Sequence, residues 1–273
     1  QLDIEMRGPS LFVARLEPYR ISDLERLLGD IRNHPLVKIE NIGRTVEGRG
    51  LEIIRVGDEA APHRVFIRAR AHPWEPGGNW VVQGLIRRLL KGDADAKRYL
   101  QRYVLFVLPM ANKDGVARGR TRFNSAGWDL NRAWDKPAPK DCAAENHALE
   151  QWLTGLAGRN MKPDLALDLH NDGYGKLHIS RPEVPQLEQY LSDMARFEEL
   201  MRAHTWFREG STGSSFRNPG TLGDGWFERF GIPAAVLEFN ANWIAGKNKM
   251  PLGADWEEFG AGLARVFDAY FDN

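Results

Sequence analysis

Cysteine is nearly absent: Cys142 stands alone among 273 residues, which excludes an intrachain disulfide framework and a thiolate-rich zinc site. It reads as a small helix residue rather than a nucleophile. Any metal held by this chain must rest on histidine and carboxylate. Net charge is missing as well. Lys plus Arg and Asp plus Glu number 37 each, so no overall field favours nucleic acid or an anionic membrane, and recognition is local. Long apolar runs are missing too. None approaches the roughly 18 residues of a membrane span, and "QLDIEMRGPS" lacks the basic and apolar regions of a signal peptide. Since the chain starts at Gln1 and not at Met, a preceding segment is expected, and the compartment stays open between cytoplasm and export. What is present is 42% apolar content, enough for a sizeable core in one large domain or two small ones. The chain reads as soluble and globular.

Apolar residues at Ile21, Leu24, Leu27, Leu28 and Ile31 recur at helical spacing and predict a helix over about Ser22–Arg32. "GLEIIRV" and "HRVFIRARA" read as two strands joined by the turn-like "GDEAAPH", and a helix opened by "GGN" follows. "YVLFVLPM", "DLALDLH" and "PAAVLEFN" are nearly continuous apolar segments, which suits strands covered on both faces by helices. "CAAENHALEQWLTGLAG" and "GADWEEFGAGLARVFDAYF" read as helices, and the glycine-rich "EGSTGSSFRNPGTLGDG" as a mobile loop. Alternation of strands and helices predicts an α/β fold around a mainly parallel or mixed sheet.

Four of these strands end in a polar residue: His72, Asn112, His170 and Glu238. Ligands of open α/β sheets sit at the carboxyl ends of the strands, so the four are expected to converge on one crevice. Alone, His72 and Glu75 read as a polar turn. With His170, 95 residues beyond Glu75, they make two histidines and a glutamate, a set suited to catalytic zinc with an open fourth position. Other first-row ions bind similar donors. Glu238, ending an otherwise apolar strand, is suited to take a proton from water and hand it to a leaving amine. In "RTRFNSAGWDLNRAW", Arg122, Asn131 and Arg132 are suited to hold a carboxylate and a developing oxyanion. Asp129 is placed to orient a ligand histidine. His34, His63, His147, His178 and His204 read as surface residues.

With these residues assembled, the chain resembles the M14 zinc metallocarboxypeptidases, and within them the cytosolic-carboxypeptidase-like branch. The resemblance covers residues 18 to 272 and rests on five motifs in the family's order: "HPWE", "PMANKDGV", "RFNSAGWDLNR", "LDLH" and "VLEFN". It implies one zinc per chain on His72, Glu75 and His170, with Glu238 as general base and acid. It implies that Arg122 steadies the oxyanion, that Asn131 and Arg132 grip the substrate's terminal carboxylate, and that Asp129 bonds the ring of His72. The implied fold is a three-layer α/β/α sandwich on a mixed, mostly parallel sheet of about eight strands. Residues 18–273 would be the catalytic domain, and residues 1–17 the remnant or linker of an upstream β-sandwich domain. The implied activity is hydrolysis of the C-terminal bond of peptides or protein tails. Two alternatives stay open: a zinc-dependent deacylase of N-acyl amino acids, and a non-catalytic peptide-binding relative.

The chain departs from the family pattern in two places. The usual tyrosine ahead of the catalytic glutamate is missing, Arg217 or Phe216 being the nearest aligned residue, and Lys113 replaces a proline. Matching Trp226 and "FGIP" puts Asp224 near the floor of the pocket for the C-terminal side chain, where it would favour an amine.

Overall fold

The computed structural model describes residues 5, 6, 8–11, 13–212 and 220–272. In chain order the elements are α1 (Ile21–Ile31), β1 (Val37–Arg44), β2 (Gly50–Val56), β3 (His63–Ala69), α2 (Gly77–Leu89), α3 (Ala94–Arg102), β4 (Tyr103–Leu108) and α4 (Lys113–Ala117). They continue with α5 (Ala144–Gly158), β5 (Leu165–Asp172), β6 (Leu177–Ile179), α6 (Leu187–His204), α7 (Leu222–Phe230), β7 (Ala234–Asn240) and α8 (Gly253–Tyr270). Of the stretch expected as a mobile loop, residues 213–219, with Phe216 and Arg217 among them, lie outside the described residues, and its last four residues form the first turn of α7 instead.

One sheet runs β1-β2-β4-β3-β5-β7-β6. Its centre, β4-β3-β5-β7, is parallel, and β2, β1 and β6 flank it through antiparallel pairings. The mixed sheet is thus as expected: it has seven strands among the described residues, of which β1, β3, β4, β5 and β7 run in one direction and β2 and β6 in the other. The turn-like "GDEAAPH" joins strands that are not neighbours, since β4 lies between β2 and β3.

Strand alternation divides the core. Val65, Ile67, Leu165, Leu167, Leu169, Leu237 and Phe239 face one side, under α1, α2, α6 and α8. Phe66, Val104, Phe106, Ala166 and Ala234 face the other, under α5 and α7. Both sheet faces are covered, giving three layers. Each fully buried Val, Leu or Phe contributes about 1.5–3 kcal/mol. Helices α2 and α8 meet backbone to backbone because Gly84 and Gly260 leave no side chain in the contact; a Cβ on either would overlap Glu257 or Val81. That close crossing fixes the N-terminus of α2 beside the carboxyl ends of the central strands. No helix among the described residues is long and apolar enough to cross a membrane.

Candidate active site

The end of β3 is bent by a backbone outlier. Arg70 has φ 62°, a left-handed conformation costing a non-glycine residue about 1–2 kcal/mol, and its surroundings hold it there. The buried Arg70 guanidinium donates to the carbonyl of Pro73 at 2.8 Å and to Oδ1 of Asn79 at 2.9 Å. The backbone N–H of Asn112 donates to the Arg70 carbonyl, and the Asn112 side chain to that of Ala71. Segment 71–76 is therefore pinned from both sides, and it turns His72 and Glu75 back over the strand ends. Asn112 does its work here, as a buried strut that also caps α4. It neither lines the cavity nor joins the His72, Glu75 and His170 group, so three of the four strand-end residues converge rather than all four.

His72, Glu75 and His170 are buried together. Nδ1 of His72 lies 2.8 Å from Oε1 of Glu75, Nδ1 of His170 lies 2.7 Å from Oε2, and the two Nδ1 atoms are 3.2 Å apart. Donors on a tetrahedral zinc with bonds of about 2.0 Å stand about 3.3 Å from one another. The set therefore fits zinc in spacing and in chemistry. Each ring also leans on a carboxylate through its other nitrogen: His72 Nε2 lies 3.0 Å from Asp129 Oδ1, and His170 Nε2 lies 2.7 Å from Asp168 Oδ2. Such partners fix which nitrogen carries the proton and leave both Nδ1 atoms to face the same point.

Charge sharpens this arrangement. Burial alone would raise the Glu75 carboxyl, but the His170 and His72 rings hold it down to about 2. Burial opposes a charge on His170, yet Asp168 and Glu75 on its two nitrogens hold its pKa well above the usual value. Asp129 is likewise held well below the carboxylate range against its burial, by His72, the Asn131 N–H and Arg122. The cluster thus favours a proton on His170, which any bound ion would have to displace.

Glu238 reaches the same place by register. It is the direct partner of His170 across β5 and β7, on the same sheet face. Its Oε2 is buried with no hydrogen-bond partner among the described residues. Burial pushes its carboxyl up to about 8, with His170 opposing and Glu75, Asp172 and Asp168 adding to the rise. Between the ordinary 4.5 and about 8, the folded metal-free chain holds a proton that the unfolded chain releases, so rising pH erodes stability. Glu238→Gln is therefore expected to raise the thermal midpoint of the metal-free chain. The gain should grow from about pH 5 to about pH 8 and level off above. A gain that shrinks with pH would refute the assignment.

His72, Glu75 and Glu238 open onto a cavity of about 230 Å³ that Arg122, Asn131 and Arg132 also line. Arg122 donates Nε to Asp129 Oδ2 at 2.7 Å, anchoring its stem, while its side chain stays 38% exposed toward the cavity mouth. Asn131 Oδ1 accepts the first N–H of α7, from Leu222, and Arg132 Nη1 donates to the Asn131 carbonyl. Asp224 is not brought in. It lies in the first turn of α7, is buried, and accepts the Arg181 N–H at 3.1 Å; the cavity wall there is Ser180, Thr221 and Val236. The expectation of an Asp224 floor is corrected accordingly. His178, expected at the surface, instead lines the cavity. Its ring, Asp172 and Glu238 bring donor atoms within 4.8 Å of one another. The alternation in "LHI" could have found it, since that pattern on a short edge strand points the histidine opposite to its apolar neighbours. Asp168 escaped the sequence reading too, although it lies two residues before His170 on a strand and so shares its face.

Fold and site together define a three-layer α/β/α protein with a His–Glu–His group at the strand ends that could hold a metal ion. The zinc carboxypeptidase family pattern matches residues 25–170, more than half the chain, and the protein belongs to that family, the M14 peptidases. It is similar to human cytosolic carboxypeptidase 2, 33% identical over 132 residues that make up 44% of this chain and 15% of that protein. With human cytosolic carboxypeptidase 1 it shares 39% identity over 106 residues, 39% of this chain and 9% of that protein. The chain thus spans a small part of the curated relatives it matches. A metallo-carboxypeptidase from Burkholderia cenocepacia superposes with a TM-score of 0.82 at 26% identity, covering 94% of this chain and 70% of that one. The metallo-carboxypeptidase of Pseudomonas aeruginosa in complex with (2-guanidinoethylmercapto)succinic acid shares the fold, with a TM-score of 0.76 at 24% identity over 93% of this chain and 70% of that one.

Proposed function

We propose that the chain is a zinc-dependent carboxypeptidase that hydrolyses the last peptide bond of a peptide or protein tail, with residues 18–273 as its catalytic unit. The observation that carries this reading is Glu238, half-buried, whose Oε2 is buried and has no partner among the described residues, beside a His–Glu–His cluster and on one cavity with Arg122, Asn131 and Arg132.

His72 and His170, each through Nδ1, and Glu75 would hold one zinc. When bound, zinc supplies Lewis-acid activation of water and of the scissile carbonyl. Glu238 takes the proton of the attacking water and delivers it to the leaving amine. Arg122, its stem tied to Asp129, aims its remaining N–H groups at the oxyanion as charge develops. Arg132 and the Asn131 amide grip the terminal carboxylate, which makes the activity an exopeptidase one.

Paired peptides identical except for a free or an amidated C-terminus test the reading. The free acid is expected to lose its last residue, and the amide to react at least about 10²-fold more slowly, because the Arg132 charge and the Asn131 amide lose their anionic partner. Equal rates on both, or cleavage at internal bonds, would remove the carboxypeptidase reading. Hydrolysis of N-acyl amino acids alone would favour a deacylase.

A further inference from the structure

Neither the sequence motifs nor the catalytic roles above use Arg68, yet its charged side chain lies in the core and is 0% exposed. Arg68 and Asp168 are direct register partners of β3 and β5. The guanidinium grips the carboxylate with two parallel bonds, Nε to Oδ1 at 2.8 Å and Nη2 to Oδ2 at 2.5 Å. That same Oδ2 meets His170 Nε2. The third nitrogen, Nη1, donates to the carbonyl of Leu130 at 2.9 Å. Nδ2 of Asn146 and Nε1 of Trp134 donate to this carbonyl as well, and the Trp134 ring lies 5.2 Å from the guanidinium carbon. Leu130 stands between Asp129, which holds His72, and Asn131, which lines the cavity.

We propose that Arg68 is the positioning residue of the metal centre: one guanidinium fixes both carboxylates that orient the ligand rings, Asp168 directly and Asp129 through the Leu130 carbonyl. The proposal rests on His72, Glu75 and His170 being the metal ligands. A buried ion pair is a poor source of stability, and apolar residues of similar volume often replace one at no cost. Geometry is what this pair supplies. Only a planar fork can bind a carboxylate with two donors and a carbonyl with the third, so lysine cannot stand in for it. Arg68 touches neither substrate nor ion; it acts through the two aspartates.

The test is zinc affinity by chelator competition, together with the visible spectrum of the cobalt-loaded chain, for wild type, Asp168→Asn, Arg68→Lys and the double variant. Asp168→Asn and Arg68→Lys are each expected to weaken zinc binding by about 10- to 100-fold and to shift the cobalt bands. The double variant should lose no more than Arg68→Lys alone, because the two residues act in series. A merely structural role would lower the thermal midpoint and leave affinity and spectrum unchanged, and that result would overturn the proposal. If Arg68→Lys does not fold, the near-isosteric Asp168→Asn decides, and zinc affinity within about twofold of wild type overturns the proposal. A wild-type chain that takes up no zinc overturns the ligand assignment and this inference together; wild-type uptake with unaffected variants overturns this inference alone.

Discussion

Glu238→Gln is expected to lower kcat by about 10⁴-fold, the upper end for loss of a general base, while KM stays within a few-fold and one zinc per chain is retained. The exchange keeps volume and one oxygen but can no longer accept the proton of water. Zinc retention follows from the geometry, since the three ligand residues meet one another without help from Glu238. Its unpartnered Oε2 is the reason for the size of the effect: an oxygen already satisfied by the protein would be a weaker base. A loss confined to KM would reassign Glu238 to substrate binding, and a variant with near wild-type kcat would remove it from the chemistry. The variant should at the same time be the more thermostable of the two when metal-free, so activity and stability move in opposite directions at one residue.

Stripping the metal is the second large effect. A strong chelator is expected to abolish hydrolysis and to lower the thermal midpoint by on the order of 10 °C relative to chain saturated with zinc about 1,000-fold above its dissociation constant, a linkage of about 4 kcal/mol. Readded zinc should restore both. The drop should shrink as pH falls, because the His170 ring, held above its usual pKa by Asp168 and Glu75, takes a proton in place of the ion. Full activity with no detectable metal would refute the zinc centre. A midpoint indifferent to zinc would detach the metal from the buried His72, Glu75 and His170 cluster.

The parallel centre of the sheet is legible in the sequence because β3, β4, β5 and β7 are covered on both faces and so read as apolar runs. β1 is not, since its alternation of half-buried and exposed residues looks like polar chain, and β6 has only three residues. The buried side of α6 is confined to Tyr190, Met194, Phe197 and Met201, too sparse among charged residues to stand out. At the site, the proposed ligands and the proposed base are legible as short motifs with the right chemistry. Arg68 and Asp168 are not, because they lie 100 residues apart and only the β3–β5 register joins them. Asp224 was misplaced for the converse reason: its motif is local, but the turn of α7 decides which way it faces.

The pairing of His170 with Glu238 and of Arg68 with Asp168 gives the proposed metal centre a use in folding experiments. Side chains alternate along a strand, so a one-residue slip of β5 would exchange Asp168 and His170 for Leu167 and Leu169, or for Leu169 and Asn171, on this face. Such a chain could have native helix and strand content by circular dichroism and still capture no zinc. Metal uptake during refolding would then time the moment at which the central strands lock into step, separately from the appearance of secondary structure.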